Sequence, residues 1–404
     1  MKRRQLLQWG AGLVLGGITG LRAVARPAER ILIVGGGILG ASIAYQLARR
    51  GAEVSLFEKS GPAAGASGKS FAWINANFTK QPREYHVLSR LGVEAFHNLH
   101  REIGAELPVR WGGTLEWYAN EQRAEELDRL SRQQQAWGYP IRRMDGAEFA
   151  RREPRVVQGP ARVTTVSDYE GAADSGEVTR VLLRRAQAAG TRVVHPCEVQ
   201  GITLVGRDRV VLRTTQGEFQ GERVVLASGV HTQQLAAMAG VKVPLKPSPG
   251  IVVRTTPQPQ WVQGVLATED THFHQQADGR AIIGDDYGPP ASRTEHQLLA
   301  QQPSDWPDPA LRLKHGQRLR AQAARYLPAL ADAPIESVSL CWRPMPQDDY
   351  PIVGFASQAP QVYVAVMHSG VTLGPLIGEL AALELLDGAQ VDLLAPYRPA
   401  RFSG

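Results

Sequence analysis

Cysteine and aromatic residues are scarce in the sequence, which contains 2 Cys and 7% Phe, Trp and Tyr among 404 residues. Two cysteines cannot build a disulfide scaffold, so Cys197 and Cys341 are predicted to be buried thiols. With 43% hydrophobic and 21% charged residues, the composition excludes a disordered chain and a collagen-like fibre. A chain of this length is expected to form two domains with room to bury a large cofactor.

Several catalytic signatures are also absent. The sequence contains no HExxH, CxxC or GxSxG motif, which excludes the commonest zinc, dithiol and serine hydrolase sites. Gly68-Lys69-Ser70 is similar to the end of a phosphate-binding P-loop, but Ala63 stands where that motif requires glycine. No metal site and no P-loop are therefore predicted.

The formal net charge of +6 is concentrated at the start of the chain. Residues 1–25 contain Lys2, Arg3, Arg4 and Arg22 and no acidic residue, so the remaining chain carries only +2. No basic stripe interleaved with aromatic residues follows, and nucleic acid is not a predicted partner.

The same N-terminal segment has the pattern of an export signal. A twin-arginine sequence, Lys2-Arg3-Arg4-Gln5-Leu6-Leu7, precedes 13 uncharged residues at 9–21 and the small residues of Ala23-Val24-Ala25. Because a membrane-spanning helix needs about 20 residues, a cleaved signal at residues 1–25 is predicted instead of an anchor. The twin-arginine export machinery is thus a predicted partner, and the periplasm is the predicted location.

A dinucleotide-binding βαβ unit is predicted directly after that signal. An apolar strand at 31–34 leads into the glycines of a GxGxxG motif, and a helix at 41–50 connects to a strand at 54–57. In this motif Gly35 permits the tight turn, Gly37 lets the backbone approach a pyrophosphate, and Gly40 allows close helix packing. Glu58 ends the second strand and is placed to accept hydrogen bonds from an adenosine ribose.

Similar signals recur downstream, with a helix at 177–189 and strands at 224–226 and 362–366. Residues 88–138 have amphipathic helical spacing, residues 251–284 contain strand-like runs, and 257–259 and 289–309 are predicted loops. The predicted fold class is α/β, with a discontinuous Rossmann-like cofactor domain at 27–90, 165–235 and 338–404. An interleaved α+β substrate domain with an antiparallel sheet is predicted at 91–164 and 236–337.

The C-terminal segment bears on the identity of the dinucleotide. Residues 368–375, HSGVTLGP, end a predicted strand and open an apolar helix that extends to 386, with Pro375 in its first turn and Gly388 as its C-cap. This second helix N-terminus would place partial positive charge beside an anionic reduced flavin ring. Without a family to compare, the segment is equally consistent with a plain buried helix.

Together, five segments resemble the glycine oxidase, D-amino acid oxidase and sarcosine oxidase family of FAD-dependent enzymes, and the likeness covers nearly all of the chain after the signal. These segments are the GGGILG unit with Glu58, the loop at 65–68, the strand ending at Ala227-Ser228-Gly229, the CWRP segment running from 341 to 354, and the HSGVTLGP tail.

The resemblance implies FAD as the cofactor and a set of residues that contact it. Gly35, Gly37, Gly40 and Glu58 would hold the adenosine diphosphate, Ser67 and Gly68 the pyrophosphate and flavin side, and the backbone of Val199 the adenine. Residues 370–373 would follow the isoalloxazine edge. The full predicted set of cofactor contacts is Gly35, Gly37, Ile38, Leu39, Gly40, Glu58, Lys59, Ser67, Gly68, Val199, Ala227, Gly229, Gly370, Val371, Thr372 and Leu373.

The resemblance also implies a reaction, in which the CH–NH bond of a small amino acid is oxidised to an imino acid by hydride transfer to flavin N5. Arg343 matches the family arginine that binds the substrate carboxylate, a role that suits a guanidinium fork. The predicted catalytic residues are Arg343, Thr372 and His274, with His272, Trp73 and Asn75 as further candidates near the substrate. Thr372 stands where the sarcosine oxidase branch has a carboxylate-binding lysine.

Two other differences from that branch leave alternatives open. Cys341 lies where the sarcosine oxidases attach flavin through a thioether, so the FAD is predicted to be non-covalent with a link through Cys341 as the alternative. Ile282 replaces a lysine that assists the reaction with oxygen, so oxygen and a quinone or other electron carrier both remain candidate acceptors. The alternatives to an amino acid enzyme are an FAD-dependent 2-hydroxy-acid or other dehydrogenase, an NAD-dependent dehydrogenase and a non-catalytic FAD-binding protein.

Overall fold

The structure is a computed structural model that describes residues 29–78, 80–285, 293–301 and 305–402. The predicted export signal at 1–25 lies outside these residues. In chain order the strands are β1 (Arg30–Val34), β2 (Glu53–Phe57), β3 (Trp73–Ile74), β4 (Val109–Arg110), β5 (Thr114–Tyr118), β6 (Ile141–Arg143), β7 (Val163–Ser167), β8 (Gly171–Ala173), β9 (Arg192–Val194), β10 (Val199–Val205), β11 (Arg209–Thr214), β12 (Gly217–Gly221), β13 (Arg223–Leu226), β14 (Leu245–Lys246), β15 (Pro249–Thr255), β16 (Val265–Ala267), β17 (Thr271–Gln275), β18 (Ala281–Asp285), β19 (Ile335–Trp342), β20 (Met345–Pro346), β21 (Ile352–Ala356) and β22 (Ala359–Val366).

The α-helices, in the same order, are α1 (Ile38–Arg49), α2 (Arg83–Ile103), α3 (Glu121–Ala136), α4 (Gly146–Arg152), α5 (Ser175–Ala188), α6 (Thr232–Met238), α7 (Arg293–Leu299), α8 (Pro309–Ala324) and α9 (Gly370–Asp387). Short 3₁₀ segments lie at Ala66–Lys69, Gly104–Glu106, Gly229–His231, Pro328–Leu330, Asp392–Tyr397 and Pro399–Phe402. Among the residues that the structure describes, no helix has the length and apolarity needed to cross a membrane.

A six-stranded sheet of order β21-β22-β13-β1-β2-β9 forms the first layer. Its five strands from β22 to β9 run parallel, and β21 is antiparallel to β22. The central strands are continuous apolar runs because helices and loops cover both faces of the sheet. Strands β2 and β13 lie on opposite sides of β1, so the strand order reverses its direction at β1. In an open parallel sheet, such a reversal creates a ligand-binding crevice at the carboxyl end of the strand.

Helices α1, α5, α2 and α9 pack next to this sheet, with α9 against both α1 and α2. Small residues permit the close approach. A Cβ at Gly378 of α9 would lie 2.7 Å from the Ser42 oxygen of α1, and one at Gly92 of α2 would lie 2.8 Å from the Thr372 oxygen. Because α9 begins beside both partners, this packing fixes the position of its N-terminus.

An eight-stranded sheet of order β19-β15-β18-β17-β16-β5-β7-β6 forms the second layer, antiparallel except for the pair β16 and β5. Alternate residues on one face, such as Ile251, Phe273 and Ile283, pack with α8 into a hydrophobic core. The strand period of two directs their neighbours to the other face. That second face carries Gly250, Gly284, His272 and Cys341, which line a cavity.

Smaller sheets complete the fold. Strands β10, β11 and β12 form an antiparallel sheet, β3 and β4 flank β8, and β14 pairs with β20. Through this pairing with β8, strand β3 places Trp73 opposite Ala172 and Ile74 opposite Gly171.

Several local predictions differ from the structure. The predicted helical stretch at 88–138 is divided by β4 and β5, and α7 lies within the predicted loop at 289–309. Helix α9 begins at Gly370, so Pro375 lies inside the helix and not in its first turn. The predicted segment boundaries at 90/91, 164/165, 235/236 and 337/338 fall within α2, β7, α6 and β19.

Candidate active site

A nucleotide-sized cavity of about 520 Å³ opens at the carboxyl ends of β1, β2 and β13. The backbone turns away from β1 at Gly35, whose φ of +114° favours glycine. A Cβ there would lie 2.5 Å from the Ala227 oxygen. The first glycine of the motif therefore lets the turns after β1 and β13 lie against each other.

The N-terminus of α1 points its backbone N–H groups into this cavity. Its N-cap is Gly37, which offers no side-chain acceptor, and the Ser67 hydroxyl accepts a hydrogen bond from the Ile38 N–H at 2.9 Å. Gly40 is required for a different reason, since a Cβ there would lie 2.0 Å from the Gly35 oxygen. The arrangement leaves a positive helix end open to an anion.

Glu58 follows β2 at the same edge. Its carboxylate accepts hydrogen bonds from the backbone N–H groups of Gly36 at 2.8 Å and Ser60 at 2.9 Å. Nearby, Lys59 Nζ lies 3.1 Å from His231 Nε2, and burial together with the Lys59 charge lowers the pKa of His231. The carboxylate is thereby held in place at the cavity wall.

A second cavity, also of about 520 Å³, adjoins the first between the two main sheets. The two cavities share a boundary whose residues line both of them: Ala66, Lys69, Ser70, Cys341, Trp342, Pro344, His368 and Val371. The first turn of α9 lies at this boundary, with Gly370 facing the nucleotide cavity and Thr372 facing the second cavity. The N-terminus of α9 is therefore directed at the boundary between the two cavities.

Arg343 lies at the wall of the second cavity, just beyond β19. Within the described residues, the hydrogen-bond partner of its guanidinium is the Ser248 carbonyl oxygen, 3.4 Å from Nε. In the part of the chain that the structure describes, the two carboxylates whose charges act on Arg343 already have cations, since Asp285 binds Arg318 at 2.6 Å and Asp349 binds Lys246 at 2.7 Å.

Burial lowers the pKa of Arg343, and the charges of those two carboxylates oppose the shift. An arginine remains protonated in proteins, so the cavity contains a cation that is partly desolvated and has terminal N–H groups available for a carboxylate.

Comparison with known proteins agrees with this geometry. A family model described as DAO, FAD dependent oxidoreductase, matches residues 30–383. The chain belongs to this family. It is therefore an FAD-dependent oxidoreductase, and the sequence-based predictions of the family, the cofactor and an enzymatic function are confirmed.

Individual relatives span most of the chain. It is 26% identical over 384 residues to a glycine oxidase of Geobacillus kaustophilus, covering 93% of this chain and 97% of the relative. It is 25% identical over 387 residues to a 4-methylaminobutanoate oxidase (formaldehyde-forming) of Paenarthrobacter nicotinovorans, covering 93% of this chain and 46% of that protein. The crystal structure of glycine oxidase from Geobacillus kaustophilus superimposes with a TM-score of 0.78 at 23% identity, covering 93% and 100% of the two chains, which confirms the predicted fold class.

The residues of this DAO-family enzyme fit FAD. A Cβ at Gly37 would approach the Ser67 hydroxyl to 3.2 Å and project into the space at the α1 N-terminus where a pyrophosphate would be bound. Most of the predicted cofactor contacts line the nucleotide cavity: Gly35, Gly37, Ile38, Leu39, Glu58, Lys59, Ser67, Val199, Ala227, Gly229, Gly370 and Val371.

Four predicted contacts have other positions. Gly40 packs on Gly35, a Cβ at Gly68 would lie 2.4 Å from the Ala63 oxygen, and Leu373 is fully buried. Thr372 lines the second cavity, but its hydroxyl donates to the Trp73 oxygen and accepts from the Asn75 N–H, both at 3.2 Å. These hydrogen bonds use the hydroxyl to hold residues 73–75 against α9, and the role of Thr372 toward substrate stays a prediction.

His272 and His274 have different surroundings. His272 and His274 project from the same face of β17, but only His272 lines the second cavity, whereas Nε2 of His274 lies 2.8 Å from the Phe71 oxygen. Phe71 contacts both rings and separates His274 from the cavity. Burial lowers the pKa of His272 to about 3 and that of His274 to about 4, so both are neutral at pH 7.

Sequence reasoning missed much of the second cavity. His368 lies at the boundary of both cavities, where burial and the charges of Arg343 and Lys80 lower its pKa to about 3. Lys80, Tyr85 and Ser369 line the same cavity. Lys80 and Tyr85 lie outside the family segments quoted above, whereas Ser369 and His368 belong to the HSGVTLGP segment but were not predicted as contacts. Asn75 and Trp73, two of the further candidates, do line it.

The two cysteines form no disulfide. Cys341 lines both cavities, with Sγ 3.6 Å from the Trp342 oxygen, so a flavin link through this residue stays a prediction. Ile282 is buried and lines neither cavity, and the choice of electron acceptor also stays open.

Proposed function

We propose that the enzyme oxidises the CH–NH bond of a small amino acid, D-configured, N-substituted or glycine itself, to the imino acid, which water then hydrolyses to an oxo acid. One observation carries the proposal: the Arg343 guanidinium faces the second cavity while both neighbouring carboxylates are bound to other cations. The names of the two relatives, glycine oxidase and 4-methylaminobutanoate oxidase, agree with an amine substrate.

The protein side chains bind and orient the substrate in this proposal. Bound FAD supplies the oxidant that accepts a hydride from the substrate carbon beside the nitrogen. Arg343 holds the carboxylate through two parallel hydrogen bonds, which fixes the direction of the α-carbon. Because His272 and His368 have pKa values of about 3, neither places a positive charge against the substrate amine at neutral pH.

The test is an anaerobic absorbance titration of the purified holoenzyme with glycine, sarcosine, D-alanine and D-proline, and with the matched 2-hydroxy acids. We expect an amino acid to bleach the flavin bands, and Arg343→Ala to weaken the apparent affinity about 10- to 100-fold because a charged hydrogen-bonded pair is lost. Arg312→Ala, on the exposed surface of α8, is the matched control.

Each outcome of this titration separates the alternatives. Bleaching by hydroxy acids alone would replace the proposal with 2-hydroxy-acid oxidation. Flavin that dithionite reduces and none of these donors reduces would show that the substrate belongs to neither class. Reoxidation of the reduced enzyme by oxygen or by a soluble quinone then identifies the acceptor class.

We further propose that the enzyme acts in the periplasm after twin-arginine export, on the basis of residues 1–25 alone. Cell fractionation of the native chain and of an Arg3→Lys, Arg4→Lys double variant tests this. Retention of the double variant in the cytoplasm is the expected result, and an unchanged distribution would refute it.

A further inference from the structure

A second buried cation lies in the same cavity as Arg343. Lys80 comes just before α2, and its side chain lines the second cavity with only 7% of its surface exposed. Its ammonium donates one hydrogen bond, to the Ser369 hydroxyl at 3.2 Å, and lies 5.3 Å from the centre of the Tyr85 ring. The Tyr85 and Ser369 hydroxyls are themselves 2.5 Å apart.

These neutral partners do not balance the lysine charge. Among the described residues, no carboxylate lies within ion-pair distance of Lys80, and the two carboxylates that line the cavity, Asp285 and Asp349, bind other cations. An ammonium has three N–H donors, so two remain available toward the cavity. A buried charge without a counter-charge is costly, and an anionic group of a ligand would supply the missing partner.

The two cations occupy the wall of one cavity, and His368 lies close enough to both for each charge to disfavour its protonation. We propose that Lys80 binds a second carboxylate of the substrate, so that the preferred substrates are amino acids with two carboxylates, the α-carboxylate on Arg343 and the other on Lys80. This inference rests on the function proposed above and specifies its substrate class.

The first experiment measures binding without turnover. The flavin absorbance of the oxidised holoenzyme is followed during titration with succinate and glutarate and with the length-matched monocarboxylates butyrate and pentanoate. We expect at least one dicarboxylate to bind about 10- to 100-fold more tightly than its monocarboxylate, which is the range of one charged hydrogen-bonded pair. In Lys80→Met the ratio of the two dissociation constants should fall toward one.

Three further variants make the result interpretable. Lys80→Arg keeps the positive charge and should retain part of the preference. Lys242→Met removes an exposed lysine that lines neither cavity and should retain all of it. If Lys80→Met loses FAD on purification, Lys80→Gln, which keeps a donor for Ser369, replaces it in the same titration.

The second experiment measures anaerobic flavin reduction by iminodiacetate, D-aspartate and D-glutamate against glycine, sarcosine and D-alanine. Equal binding of dicarboxylates and monocarboxylates by the wild type would overturn the inference, while an Arg343-dependent reduction by monocarboxylic amino acids would leave the proposed function standing. A Lys80→Met variant that keeps the dicarboxylate preference and reoxidises slowly in oxygen would also overturn it, since the lysine would then serve the acceptor step. Tight Lys80-dependent binding of dicarboxylates, without reduction by any amino acid, would support the second site and refute amino acid oxidation.

Discussion

Glu170, between β7 and β8, holds the chain segment that forms one wall of the second cavity, which is the substrate cavity in the proposed function. The side chain is fully buried, and its Oε1 accepts hydrogen bonds from the Ala76 N–H at 2.7 Å, the Asn77 N–H at 2.9 Å and the Tyr139 hydroxyl at 2.6 Å. These contacts fix the backbone that connects Asn75 to Lys80. We therefore expect changes at Glu170 to affect both stability and ligand binding.

Glu170→Ala leaves two backbone N–H groups and one hydroxyl without an acceptor. Each buried unsatisfied donor costs about 1–3 kcal/mol, and partial relaxation brings the expected total to roughly 3–5 kcal/mol. With an unfolding entropy of about 2.1 cal/mol/K per residue, this corresponds to a Tm lower by roughly 4–6 °C, measured by calorimetry on the holoenzyme. The dissociation constant of a bound carboxylate ligand should also rise, because the cavity wall becomes less rigid.

Glu170→Gln keeps a hydrogen-bond acceptor at this position and removes the ionisable carboxyl group, so it tests the two effects separately. Burial raises the pKa of Glu170, so its ionisation is less favourable in the native state than in the unfolded chain, and the amide of the variant keeps an oxygen for the same three donors. We expect Glu170→Gln to remain within about 1 kcal/mol of the wild type, as should Glu218→Ala, which changes an exposed glutamate on β12.

The raised pKa of Glu170 also predicts how the stability difference between Glu170→Gln and the wild type changes with pH. The unfolded chain releases this proton as the pH rises above about 4.5, whereas the native state releases it only at the raised pKa. The contribution to wild-type stability therefore falls as the pH rises from 4.5 to the native pKa, and Glu170→Gln should gain stability relative to the wild type over that interval. A Gln variant as unstable as the Ala variant, or a difference that moves the other way with pH, would refute this reasoning.

Three more predictions follow from contacts elsewhere. Arg398→Ala leaves the buried carboxylate of Glu384, which it binds at 2.8 Å and 2.5 Å, without its cation, and calorimetry should show a loss of about 3–5 kcal/mol. Gly378→Ala places a Cβ 2.7 Å from the Ser42 oxygen and should reduce FAD retention on gel filtration, whereas Gly61→Ala, which meets no atom within 4 Å, should not. Because the two histidines that line the substrate cavity have pKa values of about 3, the dissociation constant of acetate should change less than twofold between pH 5.5 and 7.5, and a tenfold change would contradict their neutrality.

The residues around the nucleotide cavity could be predicted from the sequence because the patterns that identify them are local. A strand that is apolar at every position, a glycine spacing imposed by close backbone contacts and an acidic residue at the next strand end all lie within 30 residues. Two of the glycines also show what a local pattern cannot predict. Gly40 and Gly68 serve backbone packing, and the motif alone does not distinguish that role from a ligand contact.

The lining of the second cavity depends on contacts between segments that are far apart in the sequence. No local sequence pattern predicts such contacts. Strand alternation predicts that His272 and His274 share a face, but Phe71, about 200 residues earlier, decides which ring reaches the cavity. The hydroxyl of Thr372 binds residues 73–75, which lie almost 300 residues earlier in the chain. Lys80 precedes α2 in an irregular stretch without periodicity, and its position depends on Ser369, 289 residues later.

The charges around the substrate cavity favour anionic ligands. Arg343 and Lys80 contribute positive charge, the cavity histidines are neutral at pH 7, and the lining carboxylates are neutralised by cations that lie beside them. The N-terminus of α9 adds partial positive charge at the flavin boundary, where it would also stabilise a reduced, anionic ring. The same electrostatic arrangement suits both parts of the proposed function, since it attracts a carboxylate ligand and would favour a reduced, anionic cofactor.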